Sequence, residues 1–216
     1  MYKQIDRKKS DLFVLGGDIR NYLKIHRDLI WANRLAGSTS FGSNRLVYFL
    51  GGVDNWMPLL SKIETFDQSV QVDNSQSYAF QTLATNMRGF SQNIRNGNNF
   101  ILINSELRWP FIRYFANRPI GSGFFNNLQV VGFGDIGTAW TGLHPYLGQN
   151  AYDKEIHTNG PITVTIDTNR EPIVAGFGFG LRSQLFGYFI RADWAWGIEN
   201  YVLLPRVFYL SLNLDF

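Results

Sequence analysis

The sequence predicts an all-β protein, an antiparallel transmembrane β-barrel, and three observations carry that expectation. Apolar residues recur with period two in segments of about ten residues, the pattern of barrel strands. Aromatic residues make up 16% of the 216-residue chain and charged residues only 17%, respectively high and low for an ordinary soluble domain. Yet no stretch approaches the roughly 18 uninterrupted apolar residues of a membrane-spanning helix. Where every backbone group must be satisfied within lipid, the alternative to such helices is a closed barrel.

Residues 13–25 open the series, with Asp18, Arg20, Tyr22 and Lys24 on one face. After a short turn at 26–28 comes 29–36, whose polar face carries Arg34. Segment 100–111 sets Ile101, Ile103, Leu107, Trp109 and Phe111 against Asn104, Glu106 and Arg108. Segment 128–140 is glycine-rich, with Asp135 in its middle. In 175–186, Phe177, Phe179 and Leu181 lie opposite Gly176, Gly178, Gly180, Arg182 and Gln184. In 187–197, Tyr188, Ile190, Ala192, Trp194 and Trp196 lie opposite Arg191 and Asp193. The last segment, 206–216, alternates best: Phe208, Leu210, Leu212, Leu214 and Phe216 share one face, and Val207, Tyr209, Ser211, Asn213 and Asp215 the other. Successive side chains of a strand point to opposite faces, so one face can meet lipid and the other a polar interior. That makes about seven strands, with residues 1–6 as a candidate stub of an eighth.

The connections are asymmetric. Short ones at 26–28 and 186–187, together with the intermediate link 112–126, fall at one end. Long ones at 38–96, 141–172 and 198–204 fall at the other. Outer-membrane barrels have short periplasmic turns and long extracellular loops, an asymmetry a soluble sandwich has no need of. Trp109, Trp140, Trp194 and Trp196 near strand ends fit an interfacial girdle. Alternation alone does not say which face is inside, so a soluble sandwich or a lipocalin-like ligand-binding barrel stays open as the alternative.

The net charge of +3 is too small to argue for nucleic acid, and the absence of cysteine removes disulfides and thiolate chemistry. His26, His144 and His157 are scattered without metal-ligand spacing. GFGFG at 176–180 is followed by no predicted helix, so it is not a phosphate loop. No catalytic constellation, cofactor or metal is expected. The start, MYKQIDRKKSDLF, has basic residues but no apolar core of roughly 7–15 residues, so it does not read as a secretory signal peptide. An outer-membrane protein needs one, and the expectation is that Met1 is not the natural start. The polar faces carry Arg20, Lys24, Arg34, Arg108, Arg182 and Arg191 against Asp18, Glu106, Asp135 and Asp193, which would slightly favour anions in a water-filled interior.

Three short motifs add to the pattern: Met87-Arg88-Gly89-Phe90 in a long loop, GFGDIG at 132–137, and the terminal 210–216 preceded by GFGFGLRS and YFIRADWAWG. In this order and spacing the chain resembles the carboxyl-terminal barrel of the BamA/TamA and two-partner-secretion superfamily, the bacterial surface antigen family, most strongly over 83–216. It is also similar to barrels that follow a TolB-like propeller in Bacteroidetes proteins, on RLVYFLGGVDNW and NGNNFILINSELRWPF. The resemblance implies a barrel of the sixteen-strand type, of which this chain holds the last seven or eight strands. It implies a loop folded back into the lumen, here within 38–96, whose Arg88, Gly89 and Phe90 form the lock motif, with Asp135 and Glu106 as acidic partners. Met87 departs from the family's β-branched residue, and the stretch between Leu50-Gly51-Gly52 and Arg88 is longer than in many relatives. Leu212, Leu214 and Phe216 resemble the signal that the barrel-assembly machinery reads.

The function so implied is non-enzymatic work in assembly, insertion or translocation of outer-membrane proteins, with outer-membrane lipid and the assembly machinery as partners. An anchoring barrel that tethers a periplasmic or surface module is the other possibility. Seven strands do not make the even number that is the rule for closed bacterial barrels, so the remaining strands are expected on upstream sequence or another chain, unless 1–6 adds an eighth.

Overall fold

The computed structural model describes residues 11–58, 64–73, 75–116, 121–147, 150–159, 162–168 and 170–214. The chain is all-β. Strands β1 (Leu12–His26) and β2 (Leu29–Gly42) form a hairpin, and β3 (Arg45–Leu50), β4 (Tyr78–Leu83) and β5 (Arg95–Gly97) lie in the connection that follows. β6 (Asn99–Trp109) leads through helices α1 (Phe111–Phe115) and α2 (Gly123–Asn126) to β7 (Gln129–Trp140). β8 (Lys154–Asn159) and β9 (Ile162–Asp167) make a separate hairpin; β10 (Val174–Leu185), β11 (Tyr188–Glu199), β12 (Val202–Leu203) and β13 (Val207–Leu214) complete the chain.

Eight strands form one antiparallel sheet in the order β1-β2-β6-β7-β10-β11, with β12 and β13 both paired to β11. Its seven long strands are the seven segments marked by alternation, and each pairs with its predecessor in the series. The hairpin turns need unusual backbone: Arg27 and Phe186 both adopt positive φ, at 47° and 53°. No helix among the described residues is long and apolar enough to cross a membrane.

The connections hold more structure than alternation marks. The stretch 38–96 is not one loop: β2 runs on to Gly42, and the remainder holds β3, flanked by parallel β4 and antiparallel β5. Phe111 does not continue its strand, because Pro110 has no N–H for the ladder and the chain turns into α1. The link 112–126 contains two short helices, and 141–172 contains the β8–β9 hairpin. The proposed stub at 1–6 lies outside the described residues.

The two faces of the sheet differ sharply. On the bare face Trp31, Leu35, Ile101, Ile103, Leu107, Ile136, Phe177, Phe179 and Tyr188 are exposed, although all are large and apolar or aromatic. Three of its polar groups satisfy one another: Trp31 Nε1 donates to Ser105 Oγ at 2.8 Å, and Ser105 Oγ to Asn33 Oδ1 at 2.9 Å. Described residues between 45 and 97 lie over the opposite face. There Tyr48, Leu50, Met87, Phe90 and Ile94 pack on Ala36, Phe100, Leu102, Ala139 and Val174 of the sheet.

Glycines on the covered face of β10 and β11 make room for this layer. A Cβ on Gly176 would stand 1.9 Å from the Arg88 carbonyl oxygen, and one on Gly197 would stand 2.5 Å from the Phe90 ring. A backbone oxygen cannot swing aside as a flexible side chain can. Gly176→Ala is therefore expected to lift the Arg88 segment and cost about 1–3 kcal/mol, as overpacking does. Thermal unfolding checks this, and an unchanged midpoint would count against close apposition.

The sheet's two outer edges are treated differently. All fifteen residues of β1 are exposed. The free edge of β13 meets the long connection instead: Met57 N–H donates to the Leu210 carbonyl at 2.8 Å, Trp56 bridges Ser211, and Asn55 Nδ2 donates to Asn213 Oδ1.

Candidate functional site: a buried arginine centre

Met87 to Phe90 lies against the middle of the sheet. Gly52 and Met87 form an antiparallel bridge that fixes the approach, and Gly89 turns the chain with φ of +100°. A Cβ there would meet the Trp196 and Gly197 backbone at 2.7 Å, so both conformation and space require glycine. Met87 is fully buried in the apolar layer, where an unbranched side chain fills the gap.

Arg88 is 2% exposed. Its Nε and Nη2 donate to Oδ2 and Oδ1 of Asp135, both at 2.7 Å, the fork-to-fork geometry that a planar guanidinium makes with a carboxylate. Nη1 donates to Glu106 Oε1 at 2.7 Å, and the backbone N–H of Arg88 reaches Asp135 Oδ2 at 3.2 Å. Beside the guanidinium, 3.6 Å from its carbon, lies the centroid of the Phe133 ring. Asn104 Nδ2 donates to Asp135 Oδ1 at 2.7 Å and to the Asn86 carbonyl at 3.0 Å, tying the acid to the loop a second way. Burial opposes the arginine's charge, but Asp135, Glu106 and Asp193 outweigh it and raise its pKa further above the ordinary arginine value.

Alternation builds this centre. Asn104 and Glu106 on β6, Phe133 and Asp135 on β7, Arg182 on β10 and Arg191 and Asp193 on β11 all point to the covered face, and antiparallel register sets Asn104 opposite Asp135. Glu106 accepts from three arginines: Arg88, Arg108 (Nε at 2.9 Å to Oε2) and Arg182 (Nη1 at 2.8 Å and Nη2 at 2.7 Å). Asp193 is fully buried, 3.9 Å from Arg88 Nη1 and 3.4 Å from Arg191 Nε, and neither oxygen has a hydrogen-bond partner among the described residues. Nearer β1, Asp18 holds Arg20 at 2.9 Å and Arg34 at 2.6 Å. A cavity of about 290 Å³ opens beside the centre, lined by Arg20, Arg34, Arg108, Arg182, Arg191 and Tyr22 among others. Among the described residues no three His, Asp or Glu side chains converge as metal ligands would. The arrangement can hold a loop and present charge to water.

The sequence-derived residues Arg88, Gly89, Phe90, Glu106 and Asp135 are thus brought together. Of the terminal set, Leu212 is exposed on the bare face, the Leu214 backbone pairs with Tyr188 at the end of β13, and Phe216 lies outside the described residues.

Two participants escaped sequence reasoning. The Tyr209 hydroxyl accepts from Gly89 N–H at 2.9 Å and Phe90 N–H at 2.8 Å, and donates to the Phe90 carbonyl at 2.7 Å. Only its place on the covered face of the last strand was visible. The second is Arg95, fully buried, whose Nη1 meets Glu199 Oε1 at 2.6 Å and whose Nη2 donates to the Glu171 carbonyl at 2.7 Å. It lies over the Tyr152 ring, whose phenol burial pushes up, and so joins two long connections to the end of β11. Lying in an Asn- and Gly-rich stretch, Arg95 reads in sequence as an exposed loop residue.

No protein-family model matches the chain, and no curated protein matches its sequence.

Proposed function

We propose that this chain forms the carboxyl-terminal strands of an outer-membrane β-barrel of the BamA/TamA, or bacterial surface antigen, kind, and serves without catalysis in assembly, insertion or translocation of outer-membrane proteins. The observation that carries this is the loop arginine: Arg88, from a segment folded over one face of the sheet, is paired with Asp135 and Glu106 on neighbouring strands. A segment held inside a barrel needs such partners, because an unpaired guanidinium away from bulk water is costly. The bare face, apolar and aromatic along β1, β2, β6, β7, β10 and β11, suits acyl chains. In lipid the exposed edge of β1 would be prohibitive without a strand beside it. Further strands on upstream sequence or another chain meet that need.

Two measurements test the proposal at separate points. Nitroxide labels at Ile103, Phe179 and Leu212 in vesicle-reconstituted protein should collide with oxygen, and labels at the exposed polar-face positions Arg20 and Lys24 with a water-soluble nickel chelate. The reverse partition would sink the membrane orientation. In cells, removing the chain should lower the amount of folded outer-membrane barrels, and an unchanged amount would leave an anchoring role instead.

A further inference from the structure

The link between β6 and β7 is longer than a hairpin needs, and its residues are unusually aromatic. Trp109 closes β6 on the bare face, in register with exposed Ile103 and Leu107. Instead of turning beneath the sheet, α1 wraps around that ring. Phe111, Tyr114 and Phe115 lie with ring centroids 6.4, 5.9 and 5.9 Å from Trp109, all edge-on. α1 therefore sits on the apolar side of the strand end. Phe115 is still 66% exposed, Phe125 of α2 is 50% exposed, and Phe186 at the neighbouring turn is 90% exposed.

The cluster has a polar rim. Tyr114 Oη lies 2.7 Å from His26 Nδ1, Arg27 donates to the Tyr114 carbonyl at 3.3 Å, and exposed Arg113 pairs with Asp28 at 2.9 Å. Rings on one side and guanidinium groups at the edge are what a headgroup layer selects: amphipathic aromatics settle there, and cations meet phosphate. Helices of five and four residues have too few internal hydrogen bonds to be stable alone, so this turn depends on the surface it lies against.

We infer that α1 and α2 form an interfacial collar that rests in the headgroup layer of the lipid leaflet at the short-turn end, with Phe115 and Phe125 inserted and Arg113 facing lipid phosphate. The inference rests on the membrane orientation proposed above and adds a specific lipid-contacting element outside the strands.

The absence of cysteine allows single nitroxide labels through Phe115→Cys and Phe125→Cys, with Phe179→Cys as the mid-strand control and Leu143→Cys as the water control. The full chain is reconstituted in phosphatidylethanolamine and phosphatidylglycerol vesicles. The ratio of oxygen to nickel-chelate collisions at Phe115 should be several-fold above that at Leu143 and below that at Phe179. Phe125 gives an independent reading if the Phe115 variant fails to fold. A water-like ratio at Phe115 and Phe125 with a lipid-like ratio at Phe179 would overturn the collar and leave the orientation standing. Labels shielded from both reagents would also overturn it, since protein would then cover the rings. A water-like ratio at Phe179 would remove the orientation and the collar together.

Discussion

Replacing Arg88 with alanine is expected to release residues 43–98 from the sheet and destabilise the protein by about 3–5 kcal/mol, the cost of breaking a buried ion pair. Asp135 is fully buried and loses its arginine in this step, whereas Glu106 keeps Arg108 and Arg182. The loss includes the Phe133 contact, while the backbone N–H of residue 88 can still reach Asp135 Oδ2. Arg88→Lys should recover only part of it, because an ammonium cannot make the two parallel bonds to Asp135. Asp135→Asn should weaken the same unit, and the double variant Arg88→Ala, Asp135→Asn should cost less than the sum of the singles. Denaturant unfolding of the reconstituted protein and protease cleavage within 43–98 provide the readout. Additive costs with an intact loop would show that Arg88 is not what holds it.

Tyr209→Phe is the cleaner experiment, since it removes one oxygen and leaves the ring edge-on against Trp56. That oxygen satisfies three backbone groups, the N–H of Gly89, the N–H of Phe90 and the carbonyl of Phe90, all buried. A buried polar group left without a partner costs about 1–3 kcal/mol. The Phe90 carbonyl keeps the Gly52 N–H at 3.1 Å, so the loss comes from the two stranded N–H groups, about 2–6 kcal/mol in total. Hydrogen exchange locates the effect: the Gly89 and Phe90 amides should lose protection while the β6–β7 ladder keeps it. Unaltered protection at these two amides would mean that water replaces the hydroxyl without penalty, and the proposed clamp between last strand and loop would fall.

The strands were legible and the loops were not, for a physical reason. Alternation reports which face a side chain takes, so every long strand of the sheet, and the shared face of Asn104, Glu106, Asp135, Arg182 and Asp193, could be read from period two. In β3 the apolar run Leu46 to Leu50 has no alternation because both of its faces are covered, one by the large sheet and the other where Phe49 meets Phe66. Arg88 with Asp135 and Glu106 was reached only through resemblance, since nothing in an isolated Arg-Gly-Phe says that it turns inward. Alternation places Gly176 on the face opposite Phe177 but does not say why that face lacks side chains; at Gly176 and Gly197 the reason is the loop lying where a Cβ would stand. Asn93 and Asn96 have the composition of an exposed tip, yet both are buried and spend their side-chain amides on loop carbonyls.

The connection between Gly42 and Asn99 also shapes the order in which the sheet can form. Most pairings in the chain join neighbours, but β2 must find β6 across this whole stretch. The entropy of closing a flexible loop rises only logarithmically, by about 0.6 kcal/mol for each doubling of length, so the pairing is affordable but comes late. The region from β6 to β13 can assemble first and offer Asp135, Glu106 and Tyr209 as a ready surface. Docking of Met87 to Phe90 on that surface shortens the search left to the β1–β2 hairpin. Time-resolved hydrogen exchange should accordingly find β10–β11 amides protected before those of β1–β2, and the opposite order would reverse this sequence of events.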